Sequence, residues 1–98
     1  KILSRDGRVL YVNRAGRTLL GQAELSKLTG RWWWDLWADA EKPALQDALA
    51  CAAKGAQMRF QTPRAVPPAP VAMWEVTAAP VHGGDGAIHA VMVVSHPL

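Results

Sequence analysis

Residues 6–15 read Asp6-Gly7-Arg8-Val9-Leu10-Tyr11-Val12-Asn13-Arg14-Ala15. Asp-Gly is a turn dipeptide, because glycine enters the φ > 0 region without steric cost. Here it sits between two strand-like runs, at 2–5 and 8–12, and predicts a hairpin. The second run is apolar at every position from Val9 to Val12, the pattern of a strand covered on both sides. Asn13 stops it. Asparagine is a good helix N-cap, since its side-chain oxygen accepts from a free backbone N–H of the first turn. A short helix over 14–20, ending at Gly21, is expected next.

Further along, 22–30 is a connecting segment with a helical turn, closed by Gly30. Residues 31–38 hold four of the five tryptophans. At helical spacing Trp33 and Trp37 share a face, as do Trp34 and Trp37, so all four cannot point the same way. Asp39 is a second N-cap candidate and Pro43 suits a first helical turn. Leu45, Ala48, Leu49 and Ala52 then form one apolar stripe to about Lys54, and Gly55 ends the helix.

The period then changes. Gln57 to Gln61 alternates like a half-buried strand, and Pro63, Pro67, Pro68 and Pro70 mark a stiff loop in which no strand pairs continuously. Trp74, Val76 and Ala78 share one face of the next strand; Met73, Glu75, Thr77 and Ala79 share the other. His82-Gly83-Gly84-Asp85-Gly86 is a turn by composition. Ile88 to Ser95 is a last strand, apolar on both faces. The order strand-strand, helices, strand-strand-strand, with short turns between the final strands, gives an α+β fold: a five-stranded antiparallel sheet with helices packed on one face.

Composition agrees with one domain over 1–98. Half of the 98 residues are hydrophobic and 19% are charged, which supports one modest core. The net charge is +3 with the arginines scattered, so no row of phosphates is matched and no nucleic-acid contact is expected. No apolar stretch approaches the roughly 20 residues that span a bilayer, and no signal peptide is visible. The domain is therefore expected to be cytoplasmic and to make no membrane contact. The single Cys51 excludes a disulfide framework and a thiolate-rich metal site, and fits a reducing compartment. The chain starts at Lys1 inside a strand-like segment, so it reads as a piece of a longer protein.

This order, with these residues, resembles a PAS domain over nearly the whole chain. Asp6 to Ala15 is similar to the family's opening, a D-G turn leading into a strand that ends in Asn. Leu20-Gly21 resembles the close of its first helix, and Leu28-Thr29-Gly30-Arg31 the entry to its middle helices. Trp74-Glu75-Val76 with Ala79-Pro80-Val81, then Asp85-Gly86, is similar to its fourth strand and last hairpin. The Asp-Ile-Thr that often ends PAS domains is replaced by His96-Pro97-Leu98. The N-terminal flanking helix common in the family would precede Lys1.

The resemblance implies a sensor, a dimerisation surface, or both. A photoactive flavin needs a cysteine shortly after the Gly-Arg entry, where this chain has Trp32, Trp33 and Trp34. A heme usually takes a histidine from the long helix, and 40–54 has none. Heme and photoactive flavin are disfavoured, and no cofactor is expected. The aromatic cluster leaves room for a non-covalent flavin, but more simply forms core. No metal site and no catalytic constellation stands out. Asp35 and Asp39 are four apart, but Asp39 reads as a cap; Gly83-Gly84-Asp85-Gly86 reads as a hairpin rather than a phosphate loop.

Large tryptophans take up cofactor space, so a small, mainly apolar pocket or a filled core is expected, with a small apolar ligand as the candidate occupant. Its candidate lining is Val12, Trp34, Trp37, Leu49, Phe60, Trp74, Val76, Val91, Val93 and Ser95. The opposite sheet face is expected to carry Val9, Tyr11, Met73, Met92 and Val94, more apolar surface than a monomer usually leaves open. A homodimer through that face follows. The leading expectation is a non-enzymatic sensory or regulatory PAS module of a signalling protein, most commonly a bacterial histidine kinase, with its output domain in the same chain. The alternative is a purely structural dimerisation module with a filled core and no ligand.

Overall fold

Gly7 turns the chain with φ 103°, and its N–H donates to the Ser4 carbonyl while the Ser4 N–H donates to the Arg8 carbonyl. That closes the first hairpin between β1 (Ile2–Leu3) and β2 (Val9–Tyr11). The computed structural model describes residues 1–13, 28–65 and 70–98. The helix expected over 14–20, Leu20-Gly21, most of the 22–30 segment, Pro67 and Pro68 lie outside those residues.

A short 3₁₀ helix, Trp33–Leu36, and a 3₁₀ turn, Asp39–Glu41, lead into helix α1, Lys42–Ala53. Pro43 falls in its first turn, where the missing N–H costs nothing. Leu45, Ala48, Leu49 and Ala52 are its buried stripe, as expected from their spacing. Gly55, at φ 109°, ends it; its N–H donates to the Ala52 carbonyl and the Ala56 N–H to Cys51. The expectation for Asp39 needs correction. It makes no side-chain cap; its carboxylate instead pairs with Lys42 Nζ at 2.8 Å, because the turn inserted before α1 moves the helix start downstream.

Three long strands follow: β3 (Met58–Arg64), β4 (Ala72–His82) and β5 (Ile88–Pro97). The five strands are ordered β2-β1-β5-β4-β3, and every pairing is antiparallel. The β4–β5 turn is closed by the Gly83 N–H to the Ala87 carbonyl and by Asp85 Oδ1 accepting from the Ala87 N–H. The 63–70 loop is shorter at its start than the prolines suggest. Pro63 lies inside β3, opposite Met73, and the strand runs on to Arg64. An edge strand tolerates proline because only one side is paired.

The core lies between α1 with the tryptophan segment and one face of the sheet. Leu3, Val9, Leu45, Ala52, Val76, Ala78 and Val91 pack there with Trp33. Trp74, Val76 and Ala78 are buried while Met73, Glu75, Thr77 and Ala79 are not, as the alternation requires.

Candidate ligand site

The tryptophan segment is strapped to the first hairpin by backbone bonds. The Gly30 N–H donates to Val9, the Val9 N–H to Arg31 and the Trp33 N–H to Gly7. Arg8 Nη1 donates to the Gly30 carbonyl at 2.8 Å, and its guanidinium lies 4.1 Å from the Trp32 ring centre. Trp32 stacks on Trp34 with centroids 5.0 Å apart. Gly7 must be glycine for a second reason: a Cβ there would collide with the Trp34 and Leu49 side chains.

This strapping decides which tryptophan enters the core. Trp33 is fully buried and meets Trp37 edge-on, with centroids 5.5 Å apart and planes at 72°. Trp34, the residue expected with Trp37, is half-buried against Gly7 and Leu49 instead. Trp37 lies past the end of the 3₁₀ helix in extended conformation at φ −113°, ψ 164°; of the two pairings that helical spacing allowed, Trp33 with Trp37 forms, and Trp34 stacks on Trp32 instead.

Of the other expected lining residues, Val12, Trp37, Leu49, Trp74, Val76, Val91 and Val93 are buried. Phe60 is half-buried and packs on the core; Ser95 is half-buried on the same face as Val91 and Val93. Helix face and inner sheet face thus bring together most of the residues that alternation selected.

Two further groups were not selected. Thr62 and Arg64 both point inward from β3 and are 2% and 5% exposed. Thr62 Oγ1 donates to Glu41 Oε2 at 3.1 Å. The Arg64 guanidinium carbon lies over the rings of Trp37 and Trp74, 4.4 and 4.9 Å from their centres. Burial pulls its pKa down to about 10. Lys1 is tied to β5, its carbonyl accepting from the Val93 N–H. Its ammonium is pulled down to about 8, mainly by burial and secondly by the Arg64 charge. The signal for Arg64 was the alternation from Phe60 through Thr62, had it been carried past Pro63.

The outer sheet face holds Tyr11, Met73, Met92 and Val94, each 42% to 53% exposed. Val9, expected among them, is a correction: it is fully buried. In β1–β2, Ile2 faces Tyr11 and Leu3 faces Val9, so Leu10 is an extra residue in a bulge. The bulge breaks the two-residue alternation, so Val9 joins Leu3 in the core while Tyr11 joins Ile2 and Met92 outside.

The family model for the PAS fold matches residues 1–98. The chain belongs to the PAS family. No curated protein sequence matches this PAS domain significantly. Among solved structures it is similar to VqmA bound to DPO, with TM-score 0.78 and 16% identity, over 99% of this chain and 49% of that one. The domain thus spans about half the length of that VqmA chain. It is also similar to the PAS domain of an HTR-like protein from Haloarcula marismortui, with TM-score 0.74, 18% identity and coverage of 99% and 78%. The light-state LOV domain of the photoreceptor Aureochrome1 gives TM-score 0.77, 17% identity and coverage of 99% and 78%. Such identities establish the shared fold. No helix among the described residues is long and apolar enough to cross a membrane.

Proposed function

We propose that this PAS domain is a non-catalytic sensory or regulatory module of a signalling protein, a bacterial histidine kinase being the host favoured by the sequence resemblance. It senses a small ligand, or passes a signal through dimerisation, to an output domain in the same chain in the cytoplasm. The observation that carries this reading is the inner layer: a PAS sheet and helix enclosing Trp33, Trp37, Trp74 and Arg64, a set far richer in chemistry than packing needs. The fold shared with VqmA, solved bound to DPO, supports a ligand-binding role. Native mass spectrometry of the purified domain tests the reading. A stoichiometric small molecule, neither heme nor flavin, is expected.

The exposed Tyr11, Met73, Met92 and Val94 favour a second reading, a homodimer through the open sheet face. Met92→Glu places a carboxylate in that contact, where burying it unpaired costs several kcal/mol. Sedimentation should show a wild-type dimer and a folded monomeric variant. A wild type that stays monomeric at high concentration excludes the dimer. A tight dimer with no bound molecule would make the domain a structural module.

A further inference from the structure

We propose that the Trp33–Trp37–Arg64 cluster is a receptor for a small carboxylate, seated in the interior with its oxygens on the Arg64 guanidinium. This deepens the sensory reading above and rests on it.

Three hydrogen bonds in this cluster are left unmade. Buried polar groups in folded proteins almost always have partners, and each exception calls for an explanation. Here Trp33 Nε1, Trp37 Nε1 and Arg64 Nε are buried with no hydrogen-bond partner among the described residues. All three are donors. They belong to side chains in mutual contact, since Trp37 touches both Trp33 and Arg64. Three orphan donors and no orphan acceptor make the cluster one-sided. What completes it is an acceptor.

Charge narrows the class. Among the described residues no carboxylate lies within ion-pair distance of Arg64, and the Lys1 ammonium, a second cation, is close enough for its charge and that of Arg64 to repel. A neutral acceptor would satisfy the donors but leave this positive field unbalanced; an anion does both.

Geometry narrows it further. Trp37 and Trp74 lie against the guanidinium through their ring faces. Stacking of this kind does not use the in-plane N–H groups, of which Nε has no partner, and the Nε–Nη edge is the fork that matches a planar carboxylate with two parallel bonds. The indole rings are apolar, so they suit a carboxylate carried on an apolar or aromatic body.

The test uses the whole chain, ¹⁵N-labelled, and follows the tryptophan indole N–H resonances. The probes are sodium acetate, sodium benzoate and neutral benzyl alcohol. Saturable shifts of the Trp33 and Trp37 signals with a carboxylate, and none with the alcohol, are expected. Arg64→Met, which keeps an unbranched apolar stem, should weaken carboxylate binding by about tenfold or more, the loss of a charge-assisted bond. Arg64→Lys keeps the charge and removes the fork, so it should also bind more weakly. It decides the matter if the Met variant fails to fold. Equal binding of alcohol and carboxylate, or variants that bind as the wild type does, would overturn the carboxylate while leaving a ligand-sensing domain. Silence towards all three probes would overturn the carboxylate receptor, while the sensory reading is decided separately by the native mass spectrum.

Discussion

Leu45 and Arg64 are buried almost equally, at 0% and 5% exposure, yet they sit in regions built on different terms. Leu45 belongs to the buried core cluster with Leu3, Val9, Ala52, Val76 and Val91, all of them apolar side chains. Around Arg64 the neighbours are Trp37 and Trp74, and three polar atoms lack partners. The aliphatic region has everything it needs from the chain itself. The tryptophan region does not, and that difference separates the part of the interior that holds the fold from the part that is free to recognise something.

The sharpest way to break this contrast is to remove side chains from each region. Leu45→Ala should cost about 2–5 kcal/mol, because a filled aliphatic site cannot collapse fully onto the gap. Urea unfolding measures it, and a loss below about 1 kcal/mol would mean that the core is looser than its burial indicates.

Lys1→Met comes second and carries its own pH signature. The Lys1 ammonium titrates at about 8 in the fold against 10.5 ordinarily, so folding disfavours its charged form. Below about pH 8 both states are charged and the fold bears the full penalty. Between about 8 and 10.5 the unfolded chain holds more protons, so stability rises with pH; above that the penalty is gone. The variant should be more stable than the wild type by about 1–2 kcal/mol at pH 7. The gap should close by pH 10.5, and a gap independent of pH would show that packing rather than charge caused it.

Arg64→Met should have the smallest effect, under about 1 kcal/mol, despite equal burial. Two cation–π contacts of about 0.5–2 kcal/mol each are lost, and a desolvated charge without a counter-ion is lost with them. Thermal unfolding without and with saturating benzoate sharpens the point. The ligand should raise the wild-type midpoint through binding the folded state alone, and leave the variant near its starting value. A loss of several kcal/mol without benzoate would make Arg64 a structural residue.

Most of the architecture was readable from local chemistry. Asp6-Gly7 and the glycines of 83–86 marked turns, the stripe Leu45-Ala48-Leu49-Ala52 marked a helix face, and alternation in β4 separated Trp74, Val76 and Ala78 from their neighbours. Two misplacements each trace to a single residue that shifts the period or mimics its end, Leu10 and Pro63. Leu10 bulges out of β2, so Val9 faces in where strict alternation would place it beside Tyr11. In the tryptophan segment spacing allowed either Trp33 or Trp34 beside Trp37, and the chain buries Trp33 there. Pro63 resembles the start of a loop in sequence, yet an edge position lets the strand continue and deliver Arg64. Arg64 was therefore out of reach of pattern reading, although the pattern that places it began at Phe60.

Pro63 has one more effect, on how chains of this kind can meet. The sheet ends at two strands, β3 and β2, and at the β2 margin Val9 is already bonded to Gly30 and Arg31. An open margin is a template on which a foreign strand adds, and repeated addition grows a fibre. At one margin Pro63 has no N–H to offer a newcomer; at the other β2 is three residues long and bulged. Lateral growth is blunted on both sides, which leaves the broad face carrying Met92 and Val94 as the surface for the homodimer proposed above.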